Sequence, residues 1–149
     1  MVYQWKKGSH HKVKAQIAGE VCASLAEEGR LTAEELVEES RPEDAPLHAE
    51  FEWNDSIAAE EYRKQQARVV IASVIEVIEP GVVPTRAFFN IVQKEANYES
   101  IRAIITDEDK KKALFAKALA ELRAFEVKYS TLLELEAVFK AIDDLEEVS

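Results

Sequence analysis

The sequence predicts an α+β fold: an N-terminal helical part of three helices, a small antiparallel β-meander of two to three strands, and a C-terminal αα-hairpin. Three observations predict it. Apolar residues recur at helical spacing over residues 12–28 and 115–145, β-branched and aromatic residues alternate between 73 and 105, and helix-start signatures punctuate the chain. With 149 residues, 47% of them hydrophobic, and only four Gly and four Pro, the chain is expected to form one compact domain over residues 1–149. Within it, residues 1–11 are read as a basic arm, 12–75 as a helical subdomain, 76–105 as the meander and 106–149 as the hairpin.

The first helix is predicted over 12–28, where Val13, Ile17, Val21 and Leu25 recur every four residues and Gly29 stands at the C-cap position. Cys22 lies on the edge of that stripe and is read as a small core residue. In LTAEEL at 31–36, Thr32 can cap, Glu35 stands at the third helical position, and Leu31 and Leu36 hold the staple positions. This second helix should end near Ser40, because Arg41 precedes Pro42. RPEDAPLHAEFEWND at 41–55 then reads as an ordered clasp: Leu47, Phe51 and Trp53 anchor it, His48 packs or caps, and Glu43, Asp44, Glu50 and Glu52 form an acidic rim open to solvent.

Asn54, Asp55 or Ser56 is expected to cap a long third helix whose apolar line is Ala58, Tyr62, Val69 and Ala72. SVIEVI at 73–78, RAFFNIVQ at 86–93 and YESIRAII at 98–105 read as strands, with PGVVP and KEAN as their turns. Thr106 or Asp107 caps the next helix, striped by Phe115, Ala118, Leu119, Leu122, Phe125 and Tyr129. Thr131 and Glu134 suggest a capping box for the last, striped by Leu132, Leu135, Phe139, Ile142 and Leu145.

The net charge is −10 with a pI near 4.9, a balance that argues against a protein that merely coats nucleic acid. The charge is segregated. Residues 1–14 carry Lys6, Lys7, Lys12 and Lys14 and no acid, whereas residues 20–61 carry fourteen acids against Arg30 and Arg41. No apolar run approaches the roughly 20 residues of a membrane span, and no secretion signal opens the chain. One cysteine excludes an internal disulfide. A reducing bacterial cytoplasm and no membrane contact are expected.

Motifs for catalysis are missing. His10, His11, His48 and Cys22 do not make a recognisable zinc set, and His48-Ala49-Glu50 lacks the P-C-x-x-C partner of zinc deaminases. Glu126-Val127-Lys128 matches the E-x-K of a Mg²⁺-dependent nuclease core, but it falls in a helical period, where its two charges splay apart. Without a glycine-rich phosphate loop or an activated nucleophile, no catalytic residue, metal or cofactor is assigned. The second helix, AEELVEES, carries four glutamates and is rejected as a DNA-recognition helix. The cluster Arg63, Lys64, Gln65, Gln66 and Arg68 is different. Arg and Gln make bidentate contacts to base edges, and the cluster precedes a strand-turn-strand unit that could act as a wing, so with Lys6, Lys7, Lys12 and Lys14 it forms a DNA-binding candidate of winged-helix pattern.

Several segments together resemble a family of small proteins encoded in bacteriophages and prophages of Gram-positive bacteria. They are YQWKKGSHHKVKAQIAGE, GRLTAEELVEESRPEDAPLHAEFEWNDSIAAEEYRKQQAR, RAFFNIV and ALAELRAFEVKYSTL, and LHAEFEWND followed by AAEEYRKQQAR is the most specific portion. The resemblance covers most of the chain, implies a phage setting and carries over no catalytic residue. The expected function is that of a non-enzymatic phage accessory or regulatory protein acting by protein binding. A host or phage protein is the expected partner, bound through the acidic N-terminal half with the rim Glu43, Asp44, Glu50 and Glu52, or through the C-terminal helical hairpin, and a homo-oligomer is compatible with the stripes. The alternatives are a DNA-binding regulator or recombination accessory factor, and a minor virion component.

Overall fold

The computed structural model describes residues 1–57, 59–92 and 97–148. Ala58 and residues 94–96 of the expected KEAN turn therefore lie outside the described residues. Among the described residues the fold is α+β, with six α-helices, a three-stranded antiparallel sheet and a two-stranded one. The chain divides into two compact units, residues 1–103 and 104–149.

In the first unit, β1 (Val2–Trp5) pairs antiparallel with β2 (Val74–Val77), which pairs on its other side with β3 (Thr85–Arg86). The supposed arm thus begins as an edge strand. Beneath the charge runs a period of two: Tyr3 turns inward while Val2 and Gln4 face out. Tyr3 lies against α1 (Ala15–Glu27), where Gly19 makes room for it. A Cβ on Gly19 would stand 2.1 Å from the Tyr3 ring. Burial, and next the Glu76 carboxylate opposite in register, push the Tyr3 phenol up to about 12. Glu76 is itself buried and is held by Arg102.

Helix α1 starts at Ala15, three residues later than expected, because the amides of Lys12 and Val13 are taken by the side chain of Glu50. It ends as predicted at Gly29, whose φ of +69° closes the last turn while Arg30 N donates to Leu25 O. Helix α2 (Ala33–Ser40) has the expected cap, Glu35 N donating to Thr32 Oγ1 at 3.0 Å. Leu31 and Leu36 are fully buried beside it. The other half of the box does not form, because the Glu35 carboxylate accepts from Arg30.

Helix α3 (Glu60–Ser73) corrects the reading in start and in phase. Asn54 does not cap it. Its side chain closes a turn onto Ser56, and the N-cap residue is Ala59. The buried line is Arg63, Ala67, Val70 and Ile71, while Tyr62 and Val69 face solvent. The third expected strand is also corrected. Only Glu99–Ser100 (β5) pairs, with Phe88–Phe89 (β4), and residues Ile101–Ile105 form α4. Ile101 and Ile104, three apart, are both buried, which is a helical spacing. The core joins Tyr3, Cys22, Leu25, Leu36, Leu47, Phe51, Ile71, Val74 and Phe88.

The second unit contains α5 (Glu108–Tyr129) and α6 (Glu136–Val148). Asp107 caps α5 as expected, accepting from Asp109 N and Lys110 N. The predicted box at Thr131 is replaced by a 3-10 turn, Leu133–Leu135, whose preceding Leu132 offers no side-chain cap. Phe125 meets Phe139 at 6.5 Å, and Arg123 bridges to Asp143 and Glu146, so the two helices run in opposite senses. Glu126 pairs with Arg123 and Lys128 lies over Tyr129, which leaves the E-x-K triplet on a helix. No side chain of α5 is fully buried, and of the α6 stripe only Ile142 is, with Leu132 and Leu145 exposed.

Candidate functional site

The clasp at 41–55 is built around Trp53. Its indole lies parallel to His48 at 4.9 Å and packs at 5.6 Å on Phe51, and its Nε1 donates to His48 O at 2.8 Å. The guanidinium carbons of Arg41 and Arg63 each stand 5.4 Å from its ring centroid. His48 Nδ1 lies 3.0 Å from Ser40 O, at the end of α2, so this histidine packs and caps. Arg63 is 3% exposed. It donates to Glu52 O at 2.8 Å and to Glu60 at 2.8 Å, and pairs with Asp55. Those hydrogen bonds hold the Asp55 and Glu60 carboxyls below their ordinary range, Arg41 being the larger cause at Glu60.

Arg63 therefore leaves the DNA-binding set. A side chain that closes the clasp cannot also reach a base edge. Lys64 pairs with Glu61 at 3.1 Å, and Arg68 donates to Gln65 Oε1 at 3.1 Å. Lys6, Lys7, Lys12 and Lys14 are exposed, as a contact role requires. Of the acidic rim, Glu43 and Asp44 are exposed and Glu52 is half-buried. Glu50 is corrected outright: its side chain is 5% exposed and faces inward.

Glu50 fastens the N-terminal loop. One carboxylate oxygen accepts from Lys12 N at 2.7 Å and Val13 N at 2.6 Å, and the other lies 3.2 Å from His11 Nδ1. The His11 ring stacks on Trp5 at 3.6 Å, and Trp5 Nε1 donates to Val13 O at 2.8 Å. A carboxylate only accepts, so Nδ1 of His11 carries a proton toward Glu50. Nε2 is buried and has no hydrogen-bond partner. The pair lines a cavity of about 230 Å³ together with His10, Tyr62, Gln65, Gln66, Val69 and Val70. A neighbouring hollow of about 400 Å³ shares Tyr62 and Gln66 and is lined also by Lys12, Glu52 and Ile57.

The fold thus brings the N-terminal basic loop and the outer face of α3 to one place. Gln65, Gln66 and Lys12 from the expected nucleic-acid set meet there with Glu50 from the expected acidic rim. The sequence offers His11 as a metal-ligand candidate and Tyr62 as core, and the structure gives them neither role. The legible signals were HHKVK, a basic loop holding two imidazoles, and a tyrosine followed by two glutamines, but their meeting depends on Glu50, 39 residues from His11. Among the described residues, no group of three or more His, Cys, Asp or Glu is arranged to hold a metal ion, and no helix is long and apolar enough to cross a membrane. Comparison of the chain with protein-family models, with curated proteins and with solved structures finds no match.

Proposed function

We propose that this is a non-enzymatic accessory protein of a phage, working in the bacterial cytoplasm by binding another protein through its C-terminal helical unit. The observation that carries the reading is the apolar surface of that unit. Phe115, Phe125, Val127, Leu132, Leu133, Val138, Leu145 and Val148 are all exposed, although two antiparallel helices of this length could have buried a continuous seam. A groove of about 540 Å³ along α5 has Phe115, Ala116, Leu119 and Val148 for its floor and Glu108, Lys111 and Lys112 for its rim. That combination suits an amphipathic helix of a partner protein, with apolar anchors below and charges of either sign at the edge. Affinity capture from phage-infected cells tests it. Phe115→Asp and Val138→Asp should abolish recovery of the partner, while Glu43→Ala in the first unit should leave it intact. Recovery unaffected by both helical substitutions would sink the reading, and light scattering of the purified chain separates a foreign partner from self-association.

A second reading has its own support. Lys12 of the N-terminal loop and Gln65 and Gln66 of α3 line two adjoining hollows, and Lys6, Lys7, Lys14 and Arg68 are exposed, which favours nucleic-acid contact by the first unit. Its mark would be affinity for phage DNA that falls steeply as salt is raised.

A further inference from the structure

The second unit buries less of itself than two packed helices can. Among the described residues of α5 and α6, Ile142 is the only buried side chain. We infer that one flank of this hairpin is covered by a second copy of the chain, the two hairpins pairing face to face about a two-fold axis as an antiparallel four-helix bundle. The inference rests on the reading of the second unit as the binding one and gives one of its faces an occupant. The groove beside Phe115 is left for the foreign partner.

Each helix carries an apolar stripe beside the one that joins it to its neighbour. On α5 it is Ala118, Leu122, Phe125 and Tyr129, and on α6 it is Val138, Ala141, Leu145 and Val148. The intervals alternate between three and four residues, as in the seam of a coiled coil. Ala118, Phe125 and all four residues on α6 are exposed, and Leu122 and Tyr129 are half-buried. Both stripes fall on one flank of the hairpin. Arg123 joins Asp143 and Glu146 across the other, and at about 100° per residue Phe125 lies roughly 200° round from Arg123, as Leu145 does from Asp143. The ion pairs close one flank and leave the apolar one open.

Register and charge decide what fits that flank. With the two-fold axis lying across the helices, α5 meets α5 of the copy antiparallel, so Leu122 packs on Phe125 and Ala118 on Tyr129, a smaller side chain against a ring each time. The axis then crosses α5 between Arg123 and Ala124. On α6 the same pairing sets Ala141 against Leu145 and Val138 against Val148, and the axis crosses at Asp143. The two crossings stand side by side, because Arg123 Nη1 and Asp143 Oδ1 are 2.7 Å apart. A single axis therefore serves both helices, a match that an unrelated partner would need the same two stripes in the same register to make. The pairing also brings Glu121 of each copy to Lys128 of the other along the edge of α5. Both are exposed, and within one helix they stand about 10 Å apart along the axis, too far to pair with each other. On α6, Lys140 comes to Glu147 of the copy and offsets the two Asp144 carboxylates that meet near the axis.

Sedimentation equilibrium of the purified chain tests the pairing, and the mass should be twice 16.8 kDa. Leu145→Asp should return it to the mass of one chain. Should that variant fail to fold, the exposed edge of α5 carries the test. Glu121→Lys and Lys128→Glu should each weaken the dimer roughly tenfold, since like charges then meet at two symmetric places. The double variant, and an equimolar mixture of the two single variants, should recover the affinity of the unsubstituted chain, which only contact between chains can produce. The mass of one chain at every concentration overturns the pairing and leaves the foreign partner to the capture experiment. A dimer indifferent both to Leu145→Asp and to the charge exchange overturns it as well. A dimer that responds as expected but captures nothing from infected cells supports the pairing and removes the foreign partner.

Discussion

The two units of the chain solve the problem of apolar surface in opposite ways. Unit 1 encloses it: the sheet, α1, α2, α3 and the clasp close over a core in which Cys22, Leu31, Leu36, Ile71, Val74 and Phe88 are fully buried. Unit 2 displays it: α5 has no fully buried side chain, and Val127, Leu133 and Val148 are more than three-quarters exposed. The difference teaches where each unit's polar chemistry is spent. In unit 1 the carboxylates and guanidinium groups are used internally, Glu76 on Arg102, Glu50 on the N-terminal loop, and Arg63 on the clasp. In unit 2 the Arg123 network fastens two helices at the surface, and most of the apolar side chains remain for something else.

The sharpest way to test this contrast is a matched pair of truncations. Phe88→Ala should cost about 3–5 kcal/mol, because a fully buried ring leaves a cavity. Leu133→Ala in unit 2 should stay within about 0.5 kcal/mol, since that side chain is 79% exposed. Denaturant melts followed by tryptophan fluorescence, which reads unit 1 through Trp5 and Trp53, and by circular dichroism, which also reads the helices of unit 2, make the comparison. Equal losses would erase the distinction. A smaller effect is expected from Gly19→Ala, whose added methyl would collide with the Tyr3 ring and should cost about 1–3 kcal/mol in the same assay. A neutral result there would mean that Tyr3 can leave its place on α1.

Acid should loosen unit 1 at the clasp. The Asp55 and Glu60 carboxyls are held below their ordinary values of 3.8 and 4.5, chiefly by side-chain hydrogen bonds from Arg63 and Arg41. A depressed folded-state value stabilises above the unfolded value and ceases to do so as pH falls through the folded one. The native chain should therefore lose melting temperature between about pH 5 and pH 3 more steeply than Arg63→Met, which lacks the pairing. Parallel slopes would show that the exposed carboxylates gain nothing from it. The smallest effect concerns Cys22, whose thiol burial pushes up to about 12. It should resist alkylation at neutral pH in the native protein and react fully only in denaturant. Rapid native labelling would show that the core of unit 1 opens.

Much of this was legible locally. Thr32 before a run of helix formers, Gly29 after a stripe, Asp107 before α5 and Phe51 beside Trp53 in the clasp all do what their neighbours in the chain suggest, because caps and amphipathic stripes depend on residues within one or two turns. Short-range pattern failed where two periods compete. YESIRAII offers alternation and an i, i+3 pair at once, and the burial of Ile101 and Ile104 settled it as a helix. In α3 the charged side chains invited the wrong phase, since an arginine on a helix is ordinarily assigned to water.

The site depended on pairings at long range. Nothing near Glu50 indicates that it will serve Lys12, Val13 and His11, and nothing near Arg63 indicates that Asp55 and Glu52 will enclose it. Composition and periodicity establish the α+β class, most of the helices and the segregation of charge, because these follow from the hydrophobic stripe and the backbone preferences of each residue. Which charges become internal struts, and which are left to meet a ligand, follows from the packing of β1, the clasp and α3 together. The desolvation of a carboxylate or a guanidinium is a property of the space around it, and that space exists only once distant segments have closed on each other.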